Sequence, residues 1–195
     1  MKKNYTEIIC ILDKSGSMHH LTHSTIRGFN AFIESQKNLE GVTKVSCILF
    51  DDYYQKLFSG RDIHSVRLTG EDYRTGGSTA LLDAIGKTII DTGRRYSGMS
   101  EHERPEKVIV MITTDGYENA SVEYSYHQVN ELINHQEKKY NWEFVFMGAN
   151  IDVAKESKRL GIKKKNAFRY VASEEGVVNM YKEAACTVAE LRHKV

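Results

Sequence analysis

Short apolar runs alternate along the chain with stretches whose apolar residues recur at helical spacing. Continuous, β-branched apolar runs of this length predict buried strands. The predicted strands are Glu7–Asp13, Thr43–Phe50, Glu106–Thr114, Glu143–Met147 and Ala167–Val171. The sequence after Phe50 predicts a hairpin into a short antiparallel strand at Leu57-Phe58, and the polar stretch Ser59–Gly77 is expected to form a loop with room for one short element.

Five stretches between these strands carry apolar residues three or four positions apart, as one face of a helix requires. The predicted helices are Leu21–Leu39, Leu81–Tyr96, a third helix marked by Val122, Tyr126, Val129 and Ile133, Val153–Leu160, and a last helix marked by Val177, Tyr181, Val188 and Leu191. Alternating strands and helices predict an α/β fold with a mainly parallel sheet covered on both faces. No linker or repeat interrupts the pattern, so residues 1–195 are expected to form one domain.

Composition excludes several classes of protein. Lys and Arg number 27 against 26 Asp and Glu, which argues against a nucleic-acid or anionic-membrane partner. The longest apolar stretches are five residues, too short to span a bilayer. Cys10, Cys47 and Cys186 are too scattered for a disulfide framework, and the first two lie in strand-like runs where cysteine packs as a small hydrophobe. We therefore expect a cytoplasmic protein.

Oxygen-bearing side chains collect where the predicted strands end. Asp13, Ser15 and Ser17 follow the first strand, Asp115 follows the strand Glu106–Thr114, and Thr79 lies in the loop that enters the second helix. Ligand sites of parallel sheets lie off the carboxyl ends of the strands. A donor set made only of oxygens suits Mg²⁺, Mn²⁺ or Ca²⁺, and two carboxylates with neutral hydroxyls would leave the cation a position for an outside carboxylate. The alternative is an Asp N-cap among ordinary turn residues.

These segments resemble a known family. Asp13-x-Ser15-x-Ser17, Thr79 in a Gly-Gly-Ser-Thr loop and Asp115 in Thr-Asp-Gly are similar, in type and order, to the complete metal-ion-dependent adhesion site (MIDAS) of von Willebrand factor A (vWA) domains. Longer segments resemble small stand-alone bacterial and phage members of the family. These segments are Leu12–Met18, Gly77–Ile85, Thr114–Ala120 and Phe146–Asp152.

The resemblance implies a three-layer, Rossmann-like fold, with a mainly parallel sheet of about six strands, one antiparallel edge strand and helices on both faces. It also implies that Ser15, Ser17 and Thr79 bind the metal through their hydroxyls, and that Asp13 and Asp115 bind it directly or through water. The function that follows is a non-enzymatic, metal-dependent protein-binding module, which engages a carboxylate of an unidentified protein partner through the cation.

Two other functions remain open. An Asp-x-Ser-x-Ser segment after a first strand is also compatible with a Mg²⁺-dependent phosphohydrolase of the haloacid-dehalogenase type, although those enzymes carry a second Asp where this chain has Ser15. Alternatively, the domain serves as an adaptor within a larger complex. The surface around the metal, expected to include His19, His20, Tyr117, Glu118 and Asn119, would set the specificity.

Three histidines near the start of the first helix raise a separate possibility. His19 and His23 fall on one face of a helix and, with His20, would suit a zinc site. No cysteine or further acidic ligand lies close in sequence. We expect solvated histidines instead.

Overall fold

Six strands form one sheet in the spatial order β3-β2-β1-β4-β5-β6. All neighbouring strands are parallel except β2 and β3, which form an antiparallel pair at one edge. The structure, a computed structural model, describes residues 1–193 apart from the side chain of Lys2, so Lys194 and Val195 of the predicted domain lie outside the described residues. The strands are β1 (Lys2–Asp13), β2 (Val42–Phe50), β3 (Tyr54–Asp62), β4 (Pro105–Thr114), β5 (Glu143–Gly148) and β6 (Ala167–Arg169). This sheet confirms the predicted fold class.

Five helices cover the two faces of the sheet. They are α1 (Thr22–Lys37), α2 (Leu81–Ser97), α3 (Tyr126–Tyr140), α4 (Val153–Leu160) and α5 (Glu174–His193). Side chains alternate along β1, so Ile8, Cys10 and Leu12 pack with α1 and α5, whereas Ile9 and Ile11 pack with α2, α3 and α4. Cys10 and its register partner Cys47 are free thiols in the core, as predicted. Within residues 1–193, no helix is long and apolar enough to cross a membrane.

Two predicted elements were wrong in extent. The antiparallel strand continues to Asp62 instead of giving way to a loop at Ser59, because its polar residues lie at the edge of the sheet and only its main chain pairs with β2. Val122 is 90 % exposed and is not part of the third helix. That helix begins at Tyr126, where Ser125 and Gln128 form a reciprocal capping box.

The end of α5 is fastened to the amino-terminal edge of the sheet. Arg192 donates hydrogen bonds to Thr43 Oγ1 at the start of β2 (2.6 Å) and to the Glu40 carbonyl (3.2 Å). The opposite edge, where β1 and β4 end side by side, holds the predicted metal ligands. Register pairs Leu12 with Thr113, so Asp13, the last residue of β1, and Asp115, the residue after β4, lie at the ends of neighbouring strands.

Candidate metal centre

Asp13 is buried at the end of β1, with both carboxylate oxygens held by protein donors. Its Oδ1 accepts from the Ser15 main-chain N–H (2.7 Å), and its Oδ2 accepts from Thr114 Oγ1 (2.6 Å). Burial raises the pKa of Asp13 to about 6, against the lowering effect of those hydrogen bonds, and the neighbouring Asp115 charge adds to the rise. The carboxylate is thus held in one orientation, and burial makes its ionisation unfavourable. A bound cation would stabilise the ionised form.

Asp115 carries the clearest sign of a missing partner. The residue is only 2 % exposed, and its Oδ1 accepts from Ser17 Oγ at 2.5 Å. Its Oδ2 is buried and has no hydrogen-bond partner among the described residues. Burial also raises the pKa of Asp115, and the hydrogen bond from Ser17 offsets part of that rise. An unpaired buried carboxylate oxygen costs free energy, and a cation would satisfy it.

The two serines of the first segment lie together. Their Oγ atoms are 3.2 Å apart; Ser15 is buried and Ser17 is exposed, so the pair extends from the core to solvent. A short 3-10 helix begins at Gly16, whose main-chain N–H donates to the Gly77 carbonyl (3.0 Å). This bond joins the serine segment to the loop that carries Thr79.

Thr79 is brought to the site by main-chain contacts of its loop. The Gly76 N–H donates to the Lys14 carbonyl at 2.8 Å, and the Ala80 N–H donates to the Asp51 carbonyl at 3.0 Å. A Cβ placed on Gly116 would lie 3.8 Å from Thr79 Oγ1 and 4.0 Å from Ser17 Oγ. The hydroxyls of Thr79 and Ser17 therefore both lie beside Gly116, next to Asp115. The structure brings all five predicted ligands to one place.

A buried ion pair next to the site was not predicted. Lys14 Nζ pairs with the carboxylate of Asp51, which also accepts from the Tyr53 N–H (2.7 Å). Asp51 lies in the hairpin that the sequence predicts after Phe50. Its pairing with Lys14 links the end of β2 to the Asp-x-Ser-x-Ser segment, and an acidic residue at the end of the neighbouring strand was the available signal.

Of the residues expected to form the surface around the metal, some have structural roles and others are accessible to a partner. The Glu118 carboxylate accepts from the N–H groups of Leu82, Ala120 and Ser121 and from Ser121 Oγ, so it fastens its loop to the start of α2 instead of facing a partner. Asn119 accepts from the Thr79 N–H through Oδ1 (2.8 Å) and thereby also holds the Thr79 loop. Tyr117 is half exposed, and its hydroxyl accepts from the Asp152 N–H (3.0 Å).

The three histidines near the start of α1 do not come together as a zinc site. His19, His20 and His23 are exposed; His19 Nδ1 lies 3.1 Å from Thr75 Oγ1, and His20 Nε2 lies 3.4 Å from the Ala172 carbonyl. In the part of the chain that the structure describes, no group of three or more His, Cys, Asp or Glu side chains could hold a metal ion. The five predicted ligands fall outside that pattern because three of them are hydroxyls.

The protein is thus an α/β protein with a mostly parallel sheet and a cluster of oxygen donors at the carboxyl edge of that sheet. No family model matches the sequence, and no curated protein matches it. Solved structures do match the fold. Proximal thread matrix protein 1 from the mussel byssus, with a zinc-occupied MIDAS motif, aligns with a TM-score of 0.64 at 16 % identity over 95 % of this chain and 46 % of its own. The chain thus spans less than half the length of that protein.

Two further structures agree. The manganese-loaded TRAP protein of Plasmodium vivax aligns with a TM-score of 0.63 at 20 % identity, covering all of this chain and 76 % of its own. The ArnB paralog VWA2 from Sulfolobus acidocaldarius aligns with a TM-score of 0.58 at 18 % identity, covering 96 % and 44 %. The chain therefore has the fold of a vWA domain.

Proposed function

We propose that the protein is a metal-dependent protein-binding module with a complete MIDAS, in which Asp13, Ser15, Ser17, Thr79 and Asp115 hold one divalent cation. The observation that carries this proposal is the buried, unpartnered Oδ2 of Asp115, in a carboxylate whose Oδ1 accepts from Ser17 and whose neighbour Gly116 lies against the Thr79 hydroxyl. These oxygens would bind a hard cation, for which we propose Mg²⁺, with Mn²⁺ or Ca²⁺ as substitutes. Two vWA-fold structures that contain manganese or zinc support a divalent ion.

The bound cation would supply a positive centre with a position open to an outside ligand. The protein contributes two carboxylates and three neutral hydroxyls, so a further carboxylate remains compatible with a dication. Ser17 is exposed, and its side of the site faces solvent. We propose that an acidic side chain of a protein partner fills that position.

Exposed apolar side chains around the site support a protein as the partner. Tyr53 is 77 % exposed, Tyr117 49 % and Val171 70 %, and they lie in the loops that follow β2, β4 and β6. All three loops leave the carboxyl edge of the sheet, where the metal ligands are. Apolar and aromatic residues around a polar centre are typical of protein interfaces. We propose neither a nucleic acid nor a membrane as the partner.

We propose further that the module is not an enzyme and that it acts within a larger cytoplasmic complex of bacterial or phage type, as its motif segments suggest. Ser15 stands where a haloacid-dehalogenase phosphatase has its general acid, and its Oγ lies against Ser17 Oγ. A test for phosphatase activity uses p-nitrophenyl phosphate with Mg²⁺. We expect no turnover above that of Asp13→Ala; turnover that this variant loses would overturn the non-enzymatic proposal.

The metal site is tested by calorimetric titration of chelator-treated protein with Mg²⁺, Mn²⁺ and Ca²⁺. We expect saturable binding to the wild type and none to Asp13→Ala or Asp115→Ala. Asp62→Ala is the matched control, because Asp62 is an exposed aspartate at the far end of β3, next to the start of β2. Equal binding by the wild type and Asp13→Ala would contradict the assignment, as would loss of binding in Asp62→Ala.

A further inference from the structure

Two buried tyrosines hold the main chain at the ends of the two strands that carry the acidic ligands. The hydroxyl of Tyr73 donates a hydrogen bond to the carbonyl of Asp13. The hydroxyl of Tyr170 donates to the carbonyl of Thr114, the residue before Asp115, at 3.1 Å. Both side chains are buried, although both residues lie in loops. Neither belongs to the metal-binding motif.

Tyr73 joins the Thr79 loop to β1. Three residues after Tyr73, the Gly76 N–H donates to the Lys14 carbonyl, and Gly77 accepts from the Gly16 N–H. The tyrosine thus adds a third contact between this loop and the end of β1, and it is the contact at Asp13 itself. Asp13 is fully buried, so water cannot replace the Tyr73 hydroxyl as a donor to the Asp13 carbonyl. The loss of this hydroxyl therefore carries a free-energy cost at the ligand itself.

Tyr170 acts across two strands. It follows β6, its main-chain N–H donates to the Gly148 carbonyl at the end of β5 (3.0 Å), and its side chain reaches the end of β4. The Thr114 carbonyl also accepts from the Ala149 N–H (3.0 Å), so it retains one donor if the phenol is removed. The loss of the Tyr170 hydroxyl should therefore perturb the site less than the loss of the Tyr73 hydroxyl.

Both phenols remain donors over the whole range of physiological pH. Burial, reinforced by the Asp13 charge, raises the pKa of Tyr73 well above its ordinary value. Burial and the charges of Asp115 and Asp13 likewise raise the pKa of Tyr170. Neither hydroxyl therefore ionises, and each hydrogen bond to a carbonyl persists.

We propose that Tyr73 and Tyr170 are positioning residues of the metal site, which fix the backbone of Asp13 and Asp115 so that the two carboxylates meet one cation. This inference rests on the proposed metal site and assigns it a supporting shell outside the motif. Groups that orient metal ligands typically change metal affinity by about 10- to 100-fold when they are removed. Because these two act through the main chain, we expect the lower end of that range for Tyr73 and a smaller effect for Tyr170, whose acceptor carbonyl keeps a second donor.

The chain offers a matched control in Tyr181. It is buried in the same region, packs against the ring of Phe32, and has a hydroxyl without a hydrogen-bond partner in the described structure. Tyr181→Phe removes a buried phenolic oxygen, as Tyr73→Phe and Tyr170→Phe do, but breaks no hydrogen bond to a ligand strand.

The experiment measures the Kd for Mn²⁺ and for Mg²⁺ by calorimetry at 25 °C, together with the unfolding temperature in chelator, for the wild type and the three Tyr→Phe variants. We expect the Kd to rise about 10-fold in Tyr73→Phe and about 3-fold in Tyr170→Phe, and to stay within twofold in Tyr181→Phe. We expect unfolding temperatures in chelator well above 25 °C for all four proteins, so that the shifts in Kd report on the metal site and not on unfolding.

The inference is overturned if Tyr73→Phe and Tyr170→Phe both bind metal within twofold of the wild type, or if Tyr181→Phe weakens binding as much as they do. If that happens while Asp13→Ala abolishes binding, only the positioning role fails and the metal site stands. A folded wild type that binds neither ion overturns both.

Discussion

At the scale of single residues, burial decides the protonation of Asp13. Its folded pKa of about 6 exceeds the value near 3.8 of an exposed aspartate. Between these values the folded, metal-free protein binds a proton that the unfolded chain has already lost. The stability of the metal-free protein should therefore fall as the pH rises through this range, because the native carboxylate must ionise in the core.

Replacement of Asp13 by Asn should remove this pH dependence. Urea unfolding in chelator, at pH 4 and pH 7, should show that the wild type loses up to about 3 kcal/mol more than Asp13→Asn between the two. Parallel pH profiles would contradict the burial argument.

In the same pH range protons compete with the metal for Asp13, so the wild-type Kd for Mn²⁺ should be about 10-fold higher at pH 5 than at pH 7.

Gly77 is the glycine at the site whose backbone forbids a side chain. Its φ is +71°, and a Cβ would meet Asp52 Oδ2 at 2.4 Å. Gly77→Ala should cost about 1–2 kcal/mol and weaken metal binding, since the strain falls on the loop that carries Thr79. Gly76→Ala is the control, because a Cβ there meets nothing within 4 Å. Similar urea midpoints and Kd values for both variants would refute this reading.

At the scale of elements, Asp83 in the first turn of α2 holds the loop that follows β4. Its carboxylate accepts from the main-chain N–H groups of Val122, Glu123 and Tyr124 at 2.8–3.0 Å. These bonds explain why Val122, although apolar, is held in an exposed loop. They also link the start of α2 to the segment that leads away from Asp115.

Asp83→Ala should destabilise the protein by about 2–4 kcal/mol, because it leaves three main-chain donors without their acceptor. Asp91→Ala tests the same substitution further along α2, where the aspartate forms a partly exposed pair with Lys56, and should cost less than about 1 kcal/mol. Urea unfolding measures both. Equal losses would mean that the Asp83 contacts do not hold the loop.

The strands that are apolar throughout were predictable because their sequence carries the signal locally. Residues 5–13 of β1 and most residues of β4 and β5 are buried on both faces, so their apolar runs identify them. β3 was predicted too short because it is an edge strand, formed by main-chain pairing with β2. Its own polar residues do not indicate that pairing. Val122 was wrongly assigned to the third helix because it lies four residues before Tyr126, as on one face of a helix. That spacing does not show that the helix begins only after the capping residue Ser125.

The five candidate ligands were predictable because three short motifs carry them. Their surroundings were not. Tyr73 lies 60 positions from Asp13, and Tyr170 lies 56 positions from Thr114, so only the folded chain brings each phenol to its carbonyl. Glu118 was predicted as part of the binding surface, but its carboxylate accepts from the Leu82 N–H of α2 and from three donors of its own loop, and the contact with α2 exists only in the folded chain.

At the scale of the whole molecule, the two halves of β1 have separate tasks. Glu7 is fully buried and accepts from Ser46 (2.7 Å), Tyr96 (2.8 Å) and Arg95, whereas Asp13 lies six residues later, about 20 Å along the strand. The Glu7 cluster joins α2 to the sheet far from the metal site. Stability and metal binding should therefore respond to different substitutions.

Glu7→Gln should lower the free energy of unfolding by about 3 kcal/mol, because it leaves the partly buried Arg95 charge without its counter-ion. The Kd for Mn²⁺ should stay within twofold of the wild type at 25 °C. Calorimetry and urea unfolding on one preparation separate the two effects. A Kd that rose as the free energy of unfolding fell would show that the two halves of β1 are coupled.

The clasp between Arg192 and the start of β2 has a practical consequence. It places the described end of α5 at the same edge of the sheet as the beginning of β1, roughly 30 Å from the edge that carries Asp13 and Asp115. A surface, a dye or a second protein attached at Lys3 or at His193 would therefore leave the metal edge facing outward. Tethered molecules would all present the same face to whatever flows past them.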